Sequence, residues 1–283
     1  MANGILLISC RDQKGITAAV SNFVAINNGN IEHADQHIDH QTEIFFMRIE
    51  WAMEGFKIPK EKIRGEFLSI ANRFAMSWNL YFTDDVSRVA VFVSKPLHCL
   101  YDLLLRQKSQ QMRCEIPLII SNHPDAKAVA QNFNIPFYEF YMCKENKYEQ
   151  EHKQIELLRN AKIDVVVLAR YQQILSPMFI QEFKNRIINI HHSFLPAFVG
   201  SKPYTQAYQK GVKIVGTTSH YVNEQLDEGP IIEQDTVRVS HRDSLKDIIL
   251  KGEDLERVVL SRALRWHLSR KILCYGNKTV VFD

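Results

Sequence analysis

Hydrophobic positions in the first eighty residues follow strand spacing in some segments and helix spacing in others. Pro59 opens the second helical segment, because its ring suits the first turn of a helix. The pattern predicts a strand at 5–8, a helix at 16–24, strands at 31–39 and 44–51, a helix at 63–78 and an edge strand at 79–83. This order, β-α-β-β-α-β, is the ferredoxin-like arrangement.

Apolar runs after the polar segment 84–87 are nearly continuous, as in strands that are covered on both faces. Strands are predicted at 88–93, 116–120, 137–141, 163–168, 187–191, 212–222 and 231–239. Helices are predicted at 100–105, 126–133, 149–159, 178–183 and 244–268, with a terminal hairpin at 272–282. The alternation predicts an α/β fold with a Rossmann-like, mostly parallel sheet. We therefore predict a first domain at 1–83, a linker at 84–87 and a second domain at 88–283.

Composition and charge narrow the function classes. Of the 283 residues, 46% are hydrophobic and the net charge is only +3, which disfavours broad nucleic-acid binding. The five cysteines form no CxxC pair, so neither a zinc site nor a disulfide framework is indicated, and a reducing cytoplasm is the natural compartment. No apolar run approaches the ~20 residues of a membrane span, and no signal peptide is indicated.

Several common catalytic signatures are absent from the sequence. There is no Gly-x-Gly of a dinucleotide site, no Walker loop, no Gly-x-Ser-x-Gly elbow and no HExxH. These absences weigh against a dehydrogenase, an ATPase, a serine hydrolase and a zinc peptidase.

Candidate chemistry lies where the strand at 187–191 ends. Asn189 and His191 share one strand face, and Pro196 prevents simple continuation. Open α/β sheets hold ligands at the carboxyl ends of their strands, and histidine moves protons near neutral pH. Taken alone, these residues also allow a histidine that is satisfied by a backbone carbonyl beside a turn.

The first domain resembles an ACT domain, through its element order and through Asp12, Gly15 and Ile16 between the first strand and helix. The resemblance implies pairing through sheets, and hence a homo-oligomer, and a small amino acid as effector. Three histidines cluster here, but we interpret them as solvated rather than as a metal site: His33, His37 and His40.

The second domain resembles the formyltransferases that use 10-formyltetrahydrofolate. The motifs that carry the resemblance are Asn189-x-His191-x-Ser193-x-Leu195-Pro196, Gly216-Thr217, His220, Leu226 to Pro230 with Gln234, and Leu168-Ala169 with Ile174 to Pro177. The resemblance implies a catalytic trio of Asn189, His191 and Asp227, supported by His220 and Ser193. It also implies substrate-binding walls, which are formed by Tyr171, Gln172, Ile174, Leu175, Val222 and Gly229.

Joined to the ACT-like part, this half resembles the formyltetrahydrofolate deformylases, hydrolases that give formate and tetrahydrofolate. The run from His191 to Phe198 is close to their pattern, whereas ribonucleotide transformylases usually carry proline at the position of His192. Transformylases also cradle a phosphate with a Gly-rich loop after their first strand. The matching segment 94–100 has no glycine, and Pro96 removes an N–H, which leaves water as the nucleophile.

The resemblance implies a mechanism in which water attacks the formyl carbon on N10. Asn189 would donate to the oxyanion, and His191 would stabilise that oxyanion as imidazolium or shuttle the proton. Asp227 would orient His191 and the water, and would accept a proton if burial raised its pKa. No metal or prosthetic group is expected.

Other interpretations stay open at the level of sequence. A formyltransferase with another small acceptor and a non-enzymatic amino-acid sensor are the alternatives. Lys202 and Arg170 are candidates for binding the folate's glutamate carboxylates, or are ordinary surface charges.

Overall fold

The computed structural model describes residues 2–197 and 203–283. Phe198 and Lys202, which belong to the sequence motifs above, lie outside the described residues. Packing divides the chain into two compact units. One contains Met1–Val86, Ser269–Tyr275 and Val280–Asp283, and the other contains Ser87–Leu268 and Gly276–Thr279.

The first unit has the predicted β-α-β-β-α-β order. Its elements are β1 Asn3–Arg11, α1 Ile16–Ile26, β2 Asn30–Asp39, β3 Ile44–Ala52, α2 Lys60–Arg73 and β4 Ser77–Phe82. The strands form an antiparallel sheet in the order β2-β3-β1-β4, so β4 lies at an edge as predicted. The core contains side chains of the sheet and of both helices, among them Leu6, Ile49, Trp51 and Phe67.

The second helix is shorter than the hydrophobic spacing predicts. It ends at Arg73, and Ala75 adopts a φ of 48°, a left-handed conformation that stops a helix. Trp78 therefore belongs to β4. Its ring packs edge-on against Phe67 with centroids 4.9 Å apart, so it reaches the predicted core from a strand.

The C-terminal strands, β12 Ile272–Tyr275 and β13 Lys278–Val281, form the predicted hairpin. Most of this segment packs with the first unit, whereas the sequence prediction assigned it to a domain at 88–283. The buried Arg48 holds it there, because its Nε donates to the carbonyl of Arg270 at 3.0 Å. Tyr275 packs on Phe46 with ring centroids 4.6 Å apart.

The second unit is built on a seven-stranded sheet in the order β11-β10-β9-β8-β5-β6-β7. Its strands are β5 Ser87–Val93, β6 Cys114–Ser121, β7 Phe137–Glu139, β8 Val165–Leu168, β9 Ile187–His191, β10 Ile214–Tyr221 and β11 Ile231–Arg238. Its helices are α3 His98–Lys108, α4 Lys127–Asn132, α5 Lys147–Asn160, α6 Pro177–Glu182, α7 Pro203–Lys210 and α8 Leu245–Leu268. A short 3-10 turn at Pro124–Ala126 precedes α4.

The sheet is mostly parallel, as predicted, but β10 runs antiparallel to both of its neighbours, β9 and β11. The short loop between β10 and β11 fits this direction, because parallel neighbours need a long crossover. Helix α7 was not predicted. No helix among residues 2–197 and 203–283 has the length and apolarity that a membrane span requires.

Candidate active site

A cavity of about 410 Å³ opens where β8 and β9 end at their carboxyl side. All three predicted catalytic side chains line it: Asn189, His191 and Asp227. The predicted walls Tyr171, Gln172, Ile174, Leu175 and Val222 line it too, as does His220. The cavity is also lined by Gln173, Asn223 and Gln225, which lie within the segments 171–175 and 222–227 that match the family's substrate-binding walls.

His191 and Asp227 meet across the cavity wall. The Nδ1 of His191 lies 3.3 Å from Oδ1 of Asp227, and both side chains are largely buried. A carboxylate can only accept, so Nδ1 carries the proton and Nε2 is left as an acceptor. This Nε2 is shielded from solvent and has no hydrogen-bond partner among the described residues. The pair therefore presents an oriented imidazole with its basic nitrogen unpaired.

Asn189 and His220 are brought together by strand register. They pair across β9 and β10, and Nδ2 of Asn189 lies 3.2 Å from Nε2 of His220. The other ring nitrogen of His220 lies 2.9 Å from the carbonyl of Tyr221. Since that carbonyl only accepts, His220 is protonated at Nδ1 and accepts from Asn189 at Nε2. The amide of Asn189 is thus held with one N–H that has no partner among the residues the structure describes.

Asp227 reaches the site from the loop between β10 and β11. It adopts a φ of 58°, the left-handed region, which turns the chain sharply. The loop is tied by hydrogen bonds to the carbonyl of Glu228 from Asn277 Nδ2 at 2.7 Å and from Asn223 Nδ2 at 3.4 Å. These bonds fix the position of the carboxylate although it lies on a loop.

Electrostatics make Asp227 a carboxylate. Burial opposes its ionisation, but a hydrogen bond from His191 and the polar rings of His220 and His192 outweigh burial and lower its pKa. Burial was expected to allow a raised pKa and proton uptake by this carboxyl, but its surroundings favour the opposite direction. Burial lowers the pKa of His220, which agrees with a neutral ring. A lowered pKa suits a carboxylate that orients and stabilises an imidazole better than one that stores a proton.

His192 also lines the cavity, although strand alternation predicted that it faces away. Strand β9 ends at His191, so alternation no longer applies to the next residue. Its ring lies 5.2 Å from the ring of His191. Burial, with the nearby charge of Arg170, lowers the pKa of His192 to about 3, so the ring is neutral beside that of His191.

A buried polar cluster lies behind the end of β8 and was missed from the sequence. Its centre is Glu256 of α8, which is fully buried and accepts hydrogen bonds from Tyr204 at 2.6 Å and His98 at 2.8 Å. Arg170 Nε lies 3.5 Å from the same carboxylate. The sequence signal was an acidic residue on the apolar face of α8, one turn from Gly252 and Val259.

This cluster also brings His98, Cys99 and Glu256 close enough to consider a metal, since their ligand atoms lie within 4.8 Å of one another. The carboxylate is already occupied by two hydrogen bonds and an arginine cation. Burial and the charge of Glu256 raise the pKa of Cys99, which disfavours the thiolate that a metal needs. The donor set therefore suits a hydrogen-bonded carboxylate better than a cation.

Three residues of the sequence prediction do not line the cavity or cannot be placed. Ser193 donates to the carbonyl of Ala197 at 2.8 Å, so its hydroxyl closes the loop after β9. Gly229 packs against the backbone of Tyr221, where a Cβ would overlap the carbonyl oxygen. Lys202 lies outside the described residues. Participation of Ser193 and Gly229 in the site stays a prediction, and their contacts are those of supporting residues.

Comparison with known proteins agrees with this architecture. The profile of the formyl transferase family matches residues 87–264, and that of the ACT domain matches residues 4–50. A formyltetrahydrofolate deformylase from Synechocystis sp. is 53% identical over 98% of this chain and 97% of its own length. The crystal structure of a formyltetrahydrofolate deformylase from Pseudomonas syringae pv. tomato superposes with a TM-score of 0.98 at 45% identity, covering 100% of this chain and 95% of the other.

A glycinamide ribonucleotide transformylase from Symbiobacterium toebii is a more distant match. It has a TM-score of 0.67 at 28% identity and covers 72% of this chain and 98% of its own. Near-complete coverage is thus reached with the deformylases, whereas the transformylase covers less of the chain. The chain belongs to the formyltetrahydrofolate deformylase family, with an ACT domain ahead of a formyltransferase-type domain.

Proposed function

We propose that this chain hydrolyses 10-formyltetrahydrofolate to formate and tetrahydrofolate. The observation that carries the proposal is the unpaired Nε2 of His191, oriented by Asp227 and placed beside the amide of Asn189 in one cavity. A general base beside an amide donor is the arrangement that attack of water on a carbonyl requires.

The chemistry follows from the protonation states. Nε2 of His191 takes a proton from water as the water oxygen bonds to the formyl carbon. The free N–H of Asn189 donates to the oxyanion that forms, and Asp227 stabilises the imidazolium. The imidazolium then gives its proton to N10, the carbon–nitrogen bond breaks, and formic acid leaves and ionises. Each charge that develops thus has a partner already in place.

Contacts of the loop after β5 support water as the nucleophile. The backbone N–H of Ser94 donates to the carbonyl of Arg170, and its hydroxyl donates to Asn122 at 2.6 Å. Two residues past Pro96, His98 is bound to Glu256. Because these donors already have partners, the loop is a poor cradle for the phosphate of an organic acceptor.

The substrate walls are proposed from their position in the cavity. Tyr171 and Leu175 are buried, and Ile174 is exposed on the rim. Together with Val222, they offer apolar surface for a flat pterin ring, and Gln172 offers an amide side chain in the same cavity. Replacing Ile174 by Asp should raise KM more than it lowers kcat, since no proton transfer involves this side chain.

The deciding experiment incubates the enzyme with 10-formyltetrahydrofolate and no acceptor. Stoichiometric formate and tetrahydrofolate support hydrolysis. Release that needs an added amine would instead support the alternative, formyl transfer to a small acceptor. No turnover with retained amino-acid binding would support a sensor. The proposal also expects activity to survive EDTA, because no step uses a metal or prosthetic group.

We also propose a small amino acid as effector of the ACT domain, a homo-oligomer in a cytoplasmic setting, and neither a nucleic-acid nor a membrane partner. Support comes from the edge strands of the four-stranded sheet, β2 and β4, which can pair with another copy. Light scattering tests the subunit count. Amino-acid titrations followed by hydrolysis rate test the effector.

A further inference from the structure

Arg170 is the only lysine or arginine among the described residues that line the catalytic cavity. It directly follows the end of β8 and adopts a φ of 64°, so the chain turns there in the left-handed region. Its carbonyl accepts from the N–H of Ser94 at 3.2 Å, which fixes this turn against the end of β5. A cation is therefore built into the wall beside the catalytic residues.

Buried contacts hold the guanidinium at one edge. Its side chain is 15% exposed, and Nε lies 3.5 Å from the buried carboxylate of Glu256. Glu256 is in turn fixed by His98 and Tyr204. Arg170 is thus not an ordinary surface charge, which was one of the two interpretations that the sequence left open.

The terminal nitrogens of Arg170 are available for a ligand. They donate no hydrogen bond to any described residue. Unlike Nε, they are also not fully buried, so a ligand in the cavity can reach them. A guanidinium presents parallel N–H groups that match the two oxygens of a carboxylate. The charge of Arg170 is also felt by His192, whose ring touches that of His191, so the cation lies near the reacting groups.

We propose that Arg170, held by Glu256, forms a subsite for a small carboxylate, the formate that the reaction releases. The identity of the ligand rests on the proposed hydrolysis. Formate is an anion that forms in a partly buried cavity already containing the carboxylate of Asp227. Arg170 balances this second negative charge until formate leaves.

The test measures binding of ¹³C-labelled formate to the folate-free enzyme by NMR line broadening, against chloride at equal ionic strength. The wild-type enzyme should bind formate saturably. Arg170→Met should weaken binding at least about tenfold, because a charge-assisted pair of hydrogen bonds is lost. Arg159→Met is the matched control, because it removes an arginine from an exposed ion pair with Glu182 on the same unit. The control should bind as the wild type does.

A second variant controls for misfolding of Arg170→Met. Arg170→Met leaves Glu256 buried without a cation, whereas Arg170→Met with Glu256→Gln removes both charges together. Both variants should lose formate binding and should show weaker inhibition of hydrolysis by added formate. Wild-type affinity in either folded variant, or no saturable binding by the wild type, overturns the proposal.

Because formate binding is measured directly, failure of the subsite can be distinguished from failure of the proposed hydrolysis. Formate binding without hydrolysis would retain the subsite and reject the deformylase activity. If Arg170 instead held the folate's glutamate, Arg170→Met would raise KM only for substrates that carry glutamate and would leave formate binding intact. That result also overturns the subsite.

Discussion

Replacing Asp227 by Asn tests the proposed catalytic pair most directly. The change keeps the shape of the side chain and removes its charge. In the wild type the carboxylate lies 3.3 Å from Nδ1 of His191 and 3.8 Å from Nε2 of His220. It is ionised at neutral pH because these rings lower its pKa against the effect of burial. The variant therefore loses the charge that stabilises the imidazolium formed during catalysis.

The distance between Asp227 and His191 sets the size of the expected loss in kcat. Two unit charges at this distance attract by about 5 kcal/mol at an effective dielectric constant of ~20. The Asp227 side chain is 14% exposed, so solvent screens part of this energy, and an amide oxygen at the same place still accepts a hydrogen bond. Losing roughly half of it, about 2.7 kcal/mol, lowers kcat about a hundredfold. His191→Ala removes the base itself and should cost at least as much.

Formate release under saturating 10-formyltetrahydrofolate gives kcat, and circular dichroism confirms the fold. Asp235→Asn is the matched control, because it makes the same exchange on β11, outside the cavity, at a residue 3.6 Å from Arg262. The control should retain wild-type kcat. A folded Asp227→Asn variant within about fivefold of the wild type would refute the imidazole–carboxylate mechanism.

Three further outcomes follow from the site. His220→Leu removes the acceptor that orients Asn189 and should lower kcat about tenfold with little change in KM, as measured by steady-state kinetics. Gly229→Ala forces a Cβ into the carbonyl of Tyr221, so it should lower both the melting temperature and kcat by displacing the loop that carries Asp227, whereas Gly65→Ala, with open space around its Cβ, should leave kcat unchanged. The folded pKa of His192, about 3, lies below its ordinary 6.5, so acid favours the unfolded chain. Stability should fall between these values by up to about 1.4 kcal/mol per pH unit, and urea unfolding of His192→Asn should show a shallower dependence.

Sequence patterns predicted most elements because hydrophobic spacing reports burial directly. The reversed direction of β10 was less accessible, since side chains alternate between the faces of a strand in the same way in either direction. Trp78 shows a related limit. Its spacing from Phe67 and Phe74 continued the helical repeat, but the backbone turned at Ala75 and brought the side chain to the same core from a strand.

The polar cluster around Glu256 could not be predicted from local patterns. Its members come from α3, the end of β8, α7 and α8, which are far apart in the sequence. Motifs report residues that stand close together along the chain, whereas this cluster depends on how three helices pack on one sheet. The only available signal was an acidic residue, Glu256, on the apolar face of a helix. Such a residue does not indicate which side chains contact it.

The proposed catalytic groups are positioned by two different kinds of structure. Asn189 and His220 are placed by the register of β9 and β10, where a slip of one residue would move every side chain to the opposite face. Asp227 is placed by a left-handed turn and by the bonds that fix Glu228. Strand substitutions should therefore disturb the fold and the amide donor together. Loop substitutions should move the carboxylate alone, so variants of Asn277 that leave stability unchanged and lower kcat would separate orientation of the imidazole from construction of the sheet.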